Sequence, residues 1–311
     1  MLPVKRFDIL GLGAVAVDDL LYVETYPPPD GKAQVIGRDR QCGGLTATAL
    51  VTAARLGARC AYAGVLGDDE LSTFVLSDLQ QAGVETSCAQ RSPSARPVHS
   101  SIVVDRRHGT RNIFYDLNGV TGAGTRTPVS LITSARVLFV DNIGVPGMVW
   151  AARLARRADI PVVADFEDNR HRQFPQLLSL ADHLILSQEF AGKLTGARSP
   201  EQAVRKLARP NRQVAVVTCG DKGCWYLARG CASPKYQPAF KVKAVDTTGC
   251  GDVFHGAYAF ALAKGMTLEA RIRFAAATAA LKATRAGGQA GIPSLTAVRK
   301  FLKNESDHQT R

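Results

Sequence analysis

The chain has 311 residues, 46% of them hydrophobic, which suffices to bury a large core and excludes disorder; one large α/β domain or two small ones are expected. No run of about 18 apolar residues could span a bilayer, Met1 to Arg6 does not read as a signal peptide, and seven scattered cysteines without a CxxC pair suit reduced thiols, so a cytoplasmic protein with no membrane partner is expected. The net charge of +12 is dispersed, as in Arg153, Arg156 and Arg157 or Arg205, Lys206 and Arg209, which argues against a nucleic-acid partner and leaves anionic substrates as a use for it.

In chain order, Phe7 to Ala16 reads as a buried strand and a turn. Its Gly11-x-Gly13-x-x-Ala16 spacing tempts towards a dinucleotide fingerprint, but that motif must open a helix, and Val17 to Val23 continues as strand. Residues 34–40 form a short polar strand, Cys42-Gly43-Gly44 a tight turn, and 47–56 a helix ended by Gly57. Strand and helix then alternate: 61–66 strand, 70–82 helix, a hairpin of 100–105 with 111–115, 137–141 strand, 148–158 helix, 161–165 strand, 175–180 helix. Segments 184–186, 190–194, 200–207, 214–219 and 224–227 carry the alternation on. It predicts one doubly wound, mostly parallel sheet with helices on both faces, in a single domain over 1–311. Two strand-rich, half-polar segments, about 17–42 and 98–116, cannot be central parallel strands and are expected to form a small β lid beside that sheet. The polar end, 304–311, reads as frayed.

The strongest signal is Val245-Asp246-Thr247-Thr248-Gly249-Cys250-Gly251-Asp252-Val253-Phe254-His255-Gly256-Ala257. A glycine turn here opens a helix, where unpaired N–H groups and the macrodipole favour an anion. Asp252 would repel a phosphate unless it serves as general base for a hydroxyl. Caps alone could explain Asp-Thr-Thr, but the whole run resembles the second signature of the ribokinase/PfkB family of carbohydrate kinases, with Cys250 where Ala is usual. Gly43-Gly44-Leu45-Thr46 through Gly57, then Gly64 to Asp69, resembles the first signature. Within the family the run, together with Leu281 to Pro293, is most similar to bacterial sulfofructose kinases, and the lid acids to ketohexokinases.

The resemblance implies a ribokinase-like fold and an ATP- and Mg²⁺-dependent sugar kinase. It makes Asp252 the catalytic base, with the amides of Gly249, Cys250 and Gly251 as its anion hole. It places Asp18, Asp30, Gly43, Gly44 and Thr48 around a small sugar, and Thr218, Gly220, Lys222, Gly223, Thr248 and Gly288 around the nucleotide, Gly288 on the adenine side near Ala279, Ala280 and Ala283. By spacing alone Thr218 to Gly223 could equally be an ordinary hairpin. A monovalent cation, K⁺, held by carbonyls around Asp246, Thr248 and Gly288, and a homodimer through the lid also follow from the resemblance. The chain departs from the family at Thr48, where Asn is usual, at Phe114 and Ile143, where a sulfonate's polar partners would stand, and at Ser187 to Phe190, which lacks the Asn of Asn-x-x-Glu and leaves Glu189 as its substitute. Asp68 and Asp69 read as turn and cap residues and His255 as a packed or surface side chain. Cys250 has two readings: a helix N-terminus raises its thiolate fraction, or burial leaves it inert. Three functions remain open: a kinase for a primary hydroxyl of a ketose or ketose derivative, a nucleoside kinase, and a non-catalytic sensor of sugar or nucleotide.

Overall fold

Strands that are apolar on both sides need cover on both faces. The computed structural model, which describes residues 5–309, supplies it. Ile9, Val137, Phe139, Val163 and Ile185 point to one face of the main sheet and meet the helices Leu45–Arg55, Cys250–Ala263 and Leu268–Ala283. The alternate residues Leu10, Leu138, Val140, Ala164 and Leu184 point the other way, beneath Val145–Arg157, Phe174–Leu180 and Pro200–Leu207.

The main sheet has nine strands, in the order Lys235–Gln237, Cys224–Ala228, Val214–Thr218, His183–Ser187, Val162–Asp165, Ala135–Val140, Phe7–Gly11, Cys60–Tyr62 and Val84–Glu85. Only the pairings made by Cys224–Ala228 are antiparallel; the rest are parallel. From Phe7–Gly11 the chain first builds towards the Val84–Glu85 edge, then returns to Ala135–Val140 and builds the other way. The switch point lies between those two central strands, and ligands bind outside the carboxyl ends at such a point. Asp141, Asp165, Ser187 and Thr218 all stand at those ends. The fold is the ribokinase-like α/β arrangement that the sequence predicts.

A separate four-stranded sheet takes the two segments that break the alternation: Val35–Gly43, Ala16–Val23, Val98–Asp105 and Thr110–Asp116, in that order. The expected turn at Cys42 and Gly43 is corrected, since both residues finish a strand and only Gly44, at φ 96°, makes the bend. The short helix Val129–Thr133 was not singled out in the sequence, nor were two longer ones, Leu268–Ala283 and Leu295–Gln309. The second carries 304–309 as helix rather than as a frayed end; Thr310 and Arg311, like Met1 to Val4, lie outside the described residues.

Candidate active site

Gly249, at φ 72°, is the N-cap of the Cys250–Ala263 helix, and the chain turns there because a left-handed residue is needed. Three predicted residues surround it: a Cβ on Gly249 would stand 3.7 Å from Thr48 Cγ2, 3.8 Å from Asp252 Oδ2 and 3.9 Å from Gly288 Cα. The Cys250 N–H donates to the Thr247 carbonyl at 3.1 Å and so closes the turn, while the N–H groups of Gly249 and Gly251 make no hydrogen bond among the described residues. Of the three amides expected to form an anion hole, two are thus free and that of Cys250 is already engaged.

Asp252 keeps part of its surface open to the cleft. The protein packed around its carboxyl, then the like charges of Asp165 and Glu167, hold its pKa well above the ordinary carboxylate range, against the pull of His255. Asp165, itself buried, is raised by that burial and then by the charges of Glu167 and Asp141, and lies 3.3 Å from His255 Nδ1. That ring nitrogen is also 2.7 Å from the Gly251 carbonyl, and Nε2 is 3.0 Å from the Ile185 carbonyl. His255 is therefore a packed residue that ties the start of the helix to the sheet. Asp141 is fully enclosed; it accepts from Ala14 N–H at 2.6 Å, Thr46 Oγ1 at 2.7 Å and Ile143 N–H at 2.8 Å, and burial pushes its carboxyl up to about 6.

Cys250 Sγ faces the Ala279 carbonyl at 3.6 Å. Burial raises its pKa, and the nearby carboxylates of Asp246 and Asp252 add to the rise against the Lys282 charge. Of the two readings of this thiol, the buried one agrees with that direction.

A cavity of about 570 Å³ adjoins the helix start and takes in Thr218, Gly220 and Gly223, with Ala279, Ala280 and Ala283 as an apolar wall. Phe240 and Val242 complete that wall, from a segment without a sequence signal. Three expected nucleotide residues, Lys222, Thr248 and Gly288, are not among those that line it. Lys222 is held by its carbonyl, which accepts from Tyr236 Oη, and its side chain does not line the cavity. A Cβ on Gly288 would stand 3.9 Å from Thr248 Cγ2, so Gly288 lies beside the 246–249 loop rather than on the cavity wall.

On the opposite side stands the second sheet. Asp18 shares a face with Gln41, Ser100 and Tyr115 through direct cross-strand pairing. Burial raises its carboxyl pKa against the Ser100 hydroxyl and the Arg111 charge. Gly43 lies so close that a Cβ there would sit 2.7 Å from Asp18 Oδ2. Arg111, which no sequence motif singles out, donates from Nη1 to Thr248 Oγ1 and spans from the second sheet to the loop before Gly249. Phe114 pairs with Ser101, and Ser101 with Asp19, so it lies on the face away from Asp18 and outside the position expected for a sulfonate contact. Asp30 is exposed at φ 60° in the loop before Val35 and makes no hydrogen bond to these residues. Asp69 caps the Glu70–Gln81 helix and Asp68 pairs with Arg91, as their position implies.

Comparison with known proteins agrees with this geometry. The model of the pfkB family of carbohydrate kinases matches residues 8–295. Fructokinase-1 of Oryza sativa subsp. japonica is 29% identical over 288 residues, covering 84% of this chain and 88% of that protein. Ribokinase of Bacillus subtilis is 28% identical over 299 residues, covering 95% and 99%. The solved ribokinase of Thermotoga maritima, 26% identical, superposes with a TM-score of 0.81 over 96% of this chain and 99% of that one. The chain belongs to the pfkB family and is a carbohydrate kinase. Fructokinases and ribokinases match it about equally well, so its similarity to them selects no sugar.

Proposed function

We propose that this kinase transfers the γ-phosphoryl group of ATP to a primary hydroxyl of a small sugar, a ketose or ketose derivative. The observation that carries the reading is the convergence at Gly249, where two free amides, the Asp252 carboxyl and Thr48 meet between the cavity and the second sheet. Asp252 takes the hydroxyl proton as the oxygen attacks the γ-phosphorus; the bond to the β-phosphate oxygen breaks and ADP leaves with that electron pair. The amides of Gly249 and Gly251 hold the charge on the transferring group. Asp18 accepts from sugar hydroxyls, and Arg111 faces the same space. Thr218, Gly220 and Gly223 line the ribose and phosphates, and the alanine wall takes the adenine.

No three acidic, histidine or cysteine side chains converge to hold a metal among the described residues. That suits Mg²⁺, which keeps its waters and binds through phosphates with one or two carboxylates. Glu167 and Glu189, whose charges oppose each other, are the acids to stand behind it. Mg²⁺ bound there neutralises phosphate charge during transfer. The second sheet acts as a lid over the sugar and as the contact of a homodimer. The protein works in the cytoplasm, where its seven free thiols stay reduced.

The test offers ATP with ketoses, ketose phosphates and sulfonates, ribose and nucleosides, and follows ADP release. Ketoses or their derivatives are expected to give the highest kcat/KM. Transfer to nucleosides alone would replace this reading with a nucleoside kinase, and binding without turnover with a sensor.

A further inference from the structure

Lys282, in the last turn of the Leu268–Ala283 helix, is the one lysine among the described residues whose side chain is fully enclosed. A buried ammonium is costly unless its charge and its protons are met. Its Nζ donates to the Asp246 carbonyl at 2.9 Å and stands 3.9 Å from the same residue's Oδ1. The carboxylate of Asp246 has both oxygens engaged: Oδ1 accepts from Thr248 N–H at 2.8 Å and Oδ2 from Gly287 N–H at 2.9 Å. One acid and one ammonium thus pin the 246–248 segment to the turn at Gly287. Gly249 follows Thr248 directly, so the same pair fixes the approach to the two free amides. The charge also reaches the start of the next helix, where Lys282 acts on Cys250 together with Asp246 and Asp252.

A monovalent cation in this place would need several oxygens to replace its water. Here the Asp246 carbonyl already accepts from Nζ, each carboxylate oxygen already accepts from an amide, and a cation would bring a second positive charge beside the Lys282 ammonium, 3.9 Å from Oδ1. The residues present do not fit such an ion. We propose that Lys282 is itself the cation of this loop, a positioning residue that holds the anion-hole amides in place, so that phosphoryl transfer in this chain needs no K⁺.

The proposal rests on the reading of 249–251 as the anion hole, and the experiment separates the two. The wild-type rate with ATP and the best sugar is measured in KCl, and then with K⁺ replaced by N-methylglucamine at equal ionic strength. The rates are expected to agree within about twofold, and the unfolding midpoint is expected to be the same in both salts. Activation by K⁺ of about fivefold or more, or a midpoint raised by K⁺ alone, overturns the proposal while leaving a working kinase. Absence of transfer to any sugar would instead sink the catalytic reading. Lys282→Met keeps the apolar stem and removes the charge. In N-methylglucamine its kcat should fall about 10- to 100-fold with the sugar KM within about threefold, and KCl should restore part of the loss. A folded variant with wild-type kcat, or one with the same loss in both salts, would mark Lys282 as packing only and overturn the proposal; if the variant does not fold, the wild-type comparison decides alone.

Discussion

A general base must be ionised to work, and in the proposed reaction that base is Asp252, whose carboxyl is held above the ordinary range by burial and then by Asp165 and Glu167. The sign follows: kcat/KM should rise with pH through a pKa well above that of an ordinary aspartate, and be lost as pH falls through it. Asp165→Asn removes the largest like charge, so the acid limb should move to lower pH, while Asp252→Asn should lower kcat by about 10²- to 10⁴-fold at every pH. Profiles of kcat/KM against pH for the three forms check this; an acid limb that stays in place in Asp165→Asn would show that the two carboxylates do not act on each other. The glycine turn that opens the Cys250–Ala263 helix beside Asp252 was legible because its residue types and spacing are local. Asp165 was not, since only the parallel pairing of Val162–Asp165 with His183–Ser187 brings that strand end to the helix. Arg111 was hidden for the same reason, 137 residues from Thr248 in the chain. The Cys250 thiol had two readings in the sequence, a helix position that favours thiolate and a burial that opposes it, and the packing shows burial raising its pKa.

At the scale of elements, the Leu45–Arg55 helix enters the site through Gly44, whose φ of 96° leaves room for no side chain. A Cβ there would meet the Ala14 carbonyl and Val15 Cα, each at 2.7 Å. Gly44→Ala should cost about 1–3 kcal/mol, because both the backbone conformation and the contact are strained. It should also raise the sugar KM, since neighbouring Gly43 sits against Asp18. Urea unfolding and sugar titration measure the two effects; a variant as stable as wild type would mean that the loop relaxes freely and that the close approach holds nothing in place. This glycine pair was legible, because a helix that follows two glycines has few other uses for them. The Leu268–Ala283 helix was not singled out. It buries Ile272, Phe274, Ala275, Ala277 and Thr278 between neighbours on several sides, so little contrast of apolar and polar faces is left in its sequence.

At the scale of the whole molecule, the second sheet is incomplete by itself. All seven residues of its edge strand Thr110–Asp116 are exposed, among them Ile113 at 48%, Phe114 at 57% and Tyr115 at 64%. An apolar strand free at its edge and on both faces invites pairing or cover. Alternation divides the work: Ile113 and Tyr115 stand with Asp18 and Arg111 towards the cleft, while Phe114 stands with Ser101 and Asp19 on the far face. A second copy packed on that far face would cover Phe114 without blocking the sugar, and would stiffen the strand that carries Arg111. A homodimer at micromolar concentration is therefore expected by light scattering. Phe114→Glu places a charge in the contact, so it should shift the protein to monomer and raise the sugar KM severalfold, with ATP binding at the far side of the cleft unchanged. A wild-type monomer, or a Phe114→Glu dimer as tight as wild type, would show that the strand is covered in some other way; a monomeric variant with wild-type sugar kinetics would separate assembly from the lid's part in catalysis.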